Sequence, residues 1–450
     1  MSDANISYLP SEGLSYDPIE SKYWDESALA KELERVYEVC HGCRMCFKYC
    51  DSFVDLFDYI DTRHDGDVRK ISADETKSVM DSCFQCKLCE VECPYTPRQD
   101  HEFQLDFPKL VHRYRAIDQK KNGHGLRETL INDPDLAGAS ARASLGMVNV
   151  MNRVSAHRWF MEKVIGVHRD KLLPDFASST FESQAKKKGR TKDDTGHEAV
   201  LFQTCYVQHN EPEIGHDALS VLDANQVDVA CVKGLQCCGM PQWEYGNLPA
   251  LRKKAKANLD VLMPHVEAGS KVLVINPTCS MMLRQEYPEL LEGEDRERAK
   301  KLSEAVADVS EYLWSIRKED RFNEDFKSAP KPEVAYHAPC HLRAQRVGFR
   351  ARNLVKKVTG KNPLAVVECC GHDGTYAMKV EGFEPSQKYG RKAFAGMQEA
   401  EADVWVTDCP LAAVQFQQHA GKKPMHPMTV LARAYEEDGF GSGSSKKEEE

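Results

Sequence analysis

Apolar positions change their period near residue 196. From 26 to 39 the segment ESALAKELERVYEV places Leu29, Leu33, Val36 and Tyr37 at helical spacing, which predicts a short amphipathic helix leading into the first cysteines. Residues 116–195 keep a mostly helical pattern, and TKDDTGHE at 191–198 reads as its exit linker. Beyond it, short apolar runs alternate with helical patterns, which predicts stacked β-α units around a parallel sheet. Six strands are expected: AVLFQ at 199, VDVACV at 227, KVLVIN at 271, EVAYH at 333, PLAVVE at 363 and DVWVTD at 403. The end of the chain, GFGSGSSKKEEE, has almost no apolar content and is expected to be a disordered tail.

Each expected strand is followed by cysteine. Cys205 follows the first, Cys237 and Cys238 the second, Cys279 the third, Cys340 the fourth, Cys369 and Cys370 the fifth, and Cys409 the sixth. Open α/β sheets bind ligands at the carboxyl ends of their strands, so each three-strand half gathers four thiols where a ligand belongs. The pattern recurs with offsets of 135 (205 to 340), 132 (238 to 370) and 130 residues (279 to 409), which suggests duplication and two equivalent pockets, each completed within its own half.

The N-terminal cysteines follow another rule. Cys40, Cys43, Cys46 and Cys50 form C-x2-C-x2-C-x3-C, and Cys83, Cys86, Cys89 and Cys93 repeat it with Pro94 directly after. In two-cluster ferredoxins the fourth cysteine of each run ligates the other cluster. The spacing therefore assigns Cys40, Cys43, Cys46 and Cys93 to one 4Fe-4S cluster, and Cys83, Cys86, Cys89 and Cys50 to a second. Zinc is the weaker alternative, because its tetrahedral sites normally take cysteine pairs from separated turns. Asp51 stands after Cys50 where proline is usual, which leaves the ligand count unchanged. Lys48, Lys87 and Arg98 are expected as solvated surface charge before they are expected to tune a potential or dock a partner.

Adjacent cysteines followed by glycine, Cys237-Cys238-Gly239 and Cys369-Cys370-Gly371, suit a multi-iron cluster better than one small ion. Vicinal thiolates reach different irons, and Gly239 and Gly371 let the backbone approach an inorganic core without a Cβ. Four thiols per half also serve zinc, or stay as reduced thiols, so all three occupancies remain open. Cys231, inside a strand pattern, is expected in the core. His209, His337, His341 and His372 lie near these cysteines and are expected as hydrogen-bonding supports, with replacement of a thiolate by His341 or His372 as the alternative.

The 450 residues allow two or three domains with their own cores, so 17 cysteines are not needed as disulfide staples. The start, MSDANISYLPSEG, carries no secretory pattern, which points to a reducing, cytoplasmic setting where clustered cysteines bind metal. A net charge of -10 offers no field for a phosphate backbone, so no nucleic acid is expected. No apolar run approaches the roughly 20 residues of a membrane-spanning helix. Residues 144–174 nevertheless carry an apolar stripe of Met147, Val150, Met151, Val154, Trp159, Phe160, Val164 and Ile165 with Arg153, Arg158, Lys163 and His168 interleaved. Docking onto the sheet domain is the default for this stripe, and a membrane surface or quinone site the alternative.

The segments CYVQHNEPEIG, QCCGMP, TCSMMLRQEYP, YHAPCHLR, ECCGHDGTY and TDC resemble the family that includes the iron-sulfur subunit of anaerobic glycerol-3-phosphate dehydrogenase, the glycolate oxidase iron-sulfur subunit and heterodisulfide reductase subunits with CCG domains. The resemblance spans about residues 35–435. It implies an electron-transfer subunit that takes electrons from a flavin-containing dehydrogenase and passes them towards a quinone or disulfide. The family closes each CCG domain with C-x-x-C, whereas here Met282 and Ala412 hold the last position. That departure weakens the alternative function of a heterodisulfide or thiol reductase; a third class is a non-redox metal-binding scaffold.

The expected architecture mixes α+β and α/β elements. An N-terminal extension (1–25) precedes a helical, ferredoxin-like 2×4Fe-4S domain (26–115), a helical connecting region (116–195), first and second CCG domains with parallel strands (196–325 and 326–438) and the tail (439–450). The chain is expected in the cytoplasm, or peripherally on the inner face of the membrane.

Overall fold

The computed structural model describes residues 6–123, 125–331 and 333–441; the expected tail lies outside them from residue 442 on. The chain divides into two compact units. One comprises Met1–Gly125 with Pro241–Leu251, the other Leu126–Met240 with Arg252–Glu450. A segment inside the stretch expected as the first CCG domain therefore belongs with the N-terminal unit.

The described residues of that unit form helices and loops without a strand. Its first long helix, Glu26–Cys43, starts because the Asp25 carboxylate accepts the amides of Ser27 and Ala28, and it buries Leu29, Leu33, Val36 and Tyr37. It stops at Arg44, which turns left-handed at φ 55°. Helix Ala73–Asp81 opens on a reciprocal Ser72/Glu75 capping box. Helix Phe107–Asn122 is capped by Asp106 and carries the buried Arg113, whose guanidinium donates to the carbonyls of Gly13, Ser15, Lys22 and Tyr23. Those bonds fasten the N-terminal extension to the helices. A second buried guanidinium, Arg35, pairs with Glu32 and donates to the carbonyls of Tyr8 and Phe103.

The second unit holds two parallel sheets. Strands β1 (Ala199–Phe202), β2 (Val229–Cys231), β3 (Lys271–Val274) and β4 (Val306–Asp308) lie in the order β2-β1-β3-β4. Strands β5 (Val334–His337), β6 (Leu364–Val366) and β7 (Val404–Thr407) lie in the order β6-β5-β7. All four residues of β1 are apolar and buried, the pattern of a parallel strand covered on both faces. Burial of side chains the size of Leu201 and Phe202 contributes about 1.5–3 kcal/mol each. All six expected strands form, and Cys231 is a core residue of β2. Strand β4 is not among the six expected strands: the chain leaves helix Gly293–Ala305, pairs three residues with β3 and re-enters helix Val309–Ser315.

The connecting region packs as short helices, among them Pro134–Ala143, Met147–Met151 and Ser155–Val164. Its apolar stripe is not docked on a sheet: Met147 is 65% exposed, Val150 63%, Trp159 49%, Phe160 53% and Val164 58%. The default expectation fails because Arg158, on the same helix, takes the inner side and donates to the carbonyls of His168, Arg169 and Lys171. The apolar face is thereby turned outward. No helix among the described residues is long and apolar enough to cross a membrane.

Candidate metal centres

In the N-terminal unit, three residues at positive φ bend the cysteine runs. Arg44 (φ 55°) follows Cys43, Gln85 (φ 52°) precedes Cys86 and Lys87 (φ 59°) follows it. Non-glycine residues hold this conformation only when their surroundings impose it. Cys40 lies within electrostatic reach of Cys43, Cys46 and Cys93, and Cys93 of Cys43. Cys50 lies within reach of Cys83 and Cys86, and Cys89 of Cys83, Cys86, Cys50 and Cys46. Cys93 thus lies near Cys40, Cys43 and Cys46, and Cys50 near Cys83, Cys86 and Cys89, while Cys46 is the strongest electrostatic neighbour of Cys89 among the thiols, so the two runs come close together.

Burial first, and then the neighbouring thiols, pushes Cys40, Cys50 and Cys89 well above the usual thiol range, and Cys46 to about 12. Four mutually repelling thiolates are unfavourable there unless a cationic group lies among them. Cys40, Cys43, Cys46 and Cys93 line a small cavity with Phe53 and Leu105. Amides of Ser52 and Phe53, at the start of helix Asp51–Asp58, donate to the Cys50 sulfur, and the Gln85 amide to that of Cys83. The donor set and the cavity fit an iron-sulfur group.

The charges around the two groups differ. Lys48 and Arg98 are exposed, and Arg98 pairs with the buried Glu90 at 3.1 Å. Lys87 departs from the surface position expected for it. It is 4% exposed, and its ammonium stands 5.5 Å from the centroid of the Trp243 ring, which stacks on His112. Trp243 arrives on the Pro241–Leu251 segment, and Arg115 binds that segment to the cysteine loop by donating to the carbonyls of Glu244, Met80 and Cys83. Gly246 (φ 69°) completes the docking, since a Cβ there would lie 2.4 Å from the Ala116 amide nitrogen.

In the second unit, Cys237 accepts hydrogen bonds from Cys205 and Cys238, and Cys238 also lies against Cys279. Those bonds pull the Cys237 thiol down and push its two donors up. Cys205 also lies within electrostatic reach of Cys279, so the four thiols are gathered together, and among the described residues no group of three or more His, Cys, Asp or Glu side chains is arranged to hold a single ion. The loop is held from several sides. Asp135, from the connecting region, accepts the Cys237 amide at 2.9 Å, pairs with Lys254 at 2.7 Å and meets His209 at 3.3 Å. Burial alone would raise the Asp135 carboxyl; the bonds to His209 and Lys254 outweigh it and hold the group at about 2. The Tyr287 hydroxyl donates to the Cys238 carbonyl and Asn258 accepts the Gln236 amide. Sequence inspection missed Asp135, Asn258 and Tyr287, because only the fold brings them to the loop.

The second set is looser. Cys370 lies within reach of Cys369 and Cys409, while the strongest charged neighbours of Cys369 are Asp373, Arg343 and Glu368. Cys340 opens helix Cys340–Ala344. Cys409 also reaches Cys279, and the Thr278 hydroxyl meets His341 Nδ1 at 2.9 Å, so the two sets adjoin. Gly239 (φ 86°) and Gly371 (φ 70°) both need the left-handed region. At Gly371 the close neighbour is protein: a Cβ would overlap the Ser386 carbonyl oxygen. His209 and His337 act as hydrogen-bonding supports, His337 meeting Thr407 at 3.0 Å and the Glu368 carbonyl at 3.1 Å.

Comparison with known proteins finds matches over the same stretches of chain. A family model described as a 4Fe-4S dicluster domain matches residues 39–96, and one described as a cysteine-rich domain, CCG, matches twice, at 199–284 and 334–417. An anaerobic glycerol-3-phosphate dehydrogenase subunit from Escherichia coli (strain K12) is 29% identical over 317 residues, 69% of this chain and 77% of the relative. The glycolate oxidase iron-sulfur subunit of the same organism is 22% identical over 78% of this chain and 83% of the relative. A fumarate reductase (CoM/CoB) subunit from Methanothermobacter marburgensis is 26% identical over 54% of this chain and 47% of the relative. A dicluster domain joined to two cysteine-rich domains, with these relatives, makes the chain a homologue of the iron-sulfur subunits of dehydrogenase and reductase complexes.

Proposed function

We propose that the chain relays electrons from a flavin-containing dehydrogenase partner towards a quinone or other acceptor. Cys40, Cys43, Cys46 and Cys93 would hold one 4Fe-4S cluster and Cys83, Cys86, Cys89 and Cys50 the other. Cys205, Cys237, Cys238 and Cys279, and then Cys340, Cys369, Cys370 and Cys409, would hold further metal groups, iron-sulfur before zinc, in two CCG domains related by duplication. When bound, these groups supply one-electron redox chemistry that no protein side chain here offers. The chain's own residues position the thiols, exclude water and set the local charge: Asp135 and Tyr287 hold the Cys237–Cys238 loop, and Lys87 places a cation beside the second N-terminal group.

The observation that carries this reading is the crossing of the fourth cysteines, Cys93 among Cys40, Cys43 and Cys46, and Cys50 near Cys83 and Cys86. Iron, sulfide and zinc counts on anaerobically purified protein test it, with electron paramagnetic resonance before and after reduction. About eight iron for the N-terminal pair and additional iron for the CCG sets are expected. Two zinc and no redox-active iron beyond residue 196 would replace the C-terminal part of the relay by a structural site.

The outward stripe of Met147, Val150, Trp159, Phe160 and Val164, flanked by Arg153 and Lys163, favours a peripheral position on the cytoplasmic face of the membrane, where a quinone would be reached. The same iron-sulfur contents in a chain that stays off anionic vesicles would move the acceptor into solution.

A further inference from the structure

Four histidines lie beside the cysteines of the second unit, and three are committed to protein partners. His209 is shared between Arg142 and Asp135. His337 bridges Thr407 and the Glu368 carbonyl. His341 meets Thr278. His372 alone has both ring nitrogens buried without a hydrogen-bond partner, although the residue is only 8% exposed. A buried imidazole left in that state is unfavourable, and ligation is one way to satisfy it.

Its place makes ligation specific. The His372 amide donates to the Cys370 sulfur, so the ring departs from backbone already in contact with one thiol of the second set. Lys171 is a neighbour of both His372 and Cys370, and its ammonium is held by Gln415. The matching position of the first set, after Cys237-Cys238-Gly239, is the buried Met240, which has no nitrogen in its side chain. The first set is drawn together by thiol-thiol hydrogen bonds, whereas the second, where Ala412 stands at the last position, is looser.

We propose that His372 is a nitrogen ligand of the metal group held by Cys340, Cys369, Cys370 and Cys409. The inference rests on the iron-sulfur occupancy proposed for that set. It makes the two halves unlike: thiolates alone in the first, thiolates and one imidazole in the second.

Full-length protein, purified anaerobically with and without 15N-histidine, provides the test by pulsed electron paramagnetic resonance. A directly bound histidine nitrogen should be seen in the signal of the second set, change with the label, and vanish in His372→Ala and His372→Met. Both variants should keep the circular dichroism of the parent and the iron of the other sets. Iron in the second set with no histidine coupling, or a coupling that survives in both variants, would overturn the inference while leaving the iron-sulfur reading in place. If Cys369→Ser/Cys370→Ser removes no iron, the iron-sulfur reading of this set fails, and the ligand assignment falls with it.

Discussion

The ammonium of Lys87 stands over the indole of Trp243, 5.5 Å from the ring centroid, although Lys87 sits between two cysteines of a ferredoxin-type run. Its counterpart in the first run, Arg44, shares the left-handed backbone but turns outward to the carboxylate of Asp61. A buried cation favours an added electron nearby. Lys87→Gln is therefore expected to lower the midpoint potential of one N-terminal cluster by about 70–100 mV, the contribution of a unit charge at about 7–10 Å in an effective dielectric near 20. The other cluster should hardly move, and Lys87→Arg should restore most of the loss. Redox titration followed by electron paramagnetic resonance reads both waves; equal shifts of the two would deny the assignment.

Asp135 ties the Cys237 amide, Lys254 and His209 together. Asp135→Ala removes a charged acceptor from a largely enclosed network and should cost about 1.5–3 kcal/mol of stability. It should also reduce the metal content of the first CCG set while sparing the N-terminal pair. Chemical denaturation and metal counts on the same preparation check it, and an unchanged first set would show that the thiols hold their loop unaided.

Glu75 carries a pH dependence remote from the cysteines. The Ser72 amide first, and then His64, hold its carboxyl at about 2, below the unfolded value of about 4.3. A depressed carboxyl stabilises the fold above its unfolded value, and the contribution fades as pH falls from about 4.3 towards 2. Helix Ala73–Asp81 should therefore loosen in that window, and Glu75→Gln should flatten the dependence while lowering stability at neutral pH. Circular dichroism during acid titration of the two proteins distinguishes them; parallel curves would remove Glu75 from the account.

The outward stripe gives a surface prediction. Trp159→Ser/Phe160→Ser exchanges two exposed apolar side chains and should leave the melting temperature nearly unchanged. Binding to anionic vesicles, measured by cosedimentation, should fall at least tenfold. Retained binding would place the contact elsewhere.

Much of this was legible in the chain. Two runs with fixed cysteine spacing, and six apolar segments each followed by cysteine, carry their geometry in local sequence. What escaped depends on distant residues. Lys87 reads as surface charge until Trp243 covers it, and Asp135 is an ordinary helix-start residue until Cys237 comes to rest on it. Strand β4 is three residues between helices, too short to break a helical pattern. The stripe within 144–174 was legible as apolar, but its direction was set by Arg158, whose carbonyl partners lie beyond the helix. Gly371 was expected to let the backbone approach an inorganic core, whereas the neighbour that excludes a side chain there is the Ser386 carbonyl.

The seat of Trp243 also imposes an order of events during synthesis. The N-terminal unit lacks Pro241–Leu251 until those residues have left the ribosome. At about 5–20 residues per second, the stretch from Gly125 to Leu251 delays that moment by about 6–25 s. Through that interval the Cys83–Cys89 loop has neither its indole cover nor the Glu244 carbonyl that Arg115 grips. A gene fragment ending at Gly125 would make the delay permanent, so the dicluster portion cannot be lifted out as a portable module without carrying a strip of its neighbour.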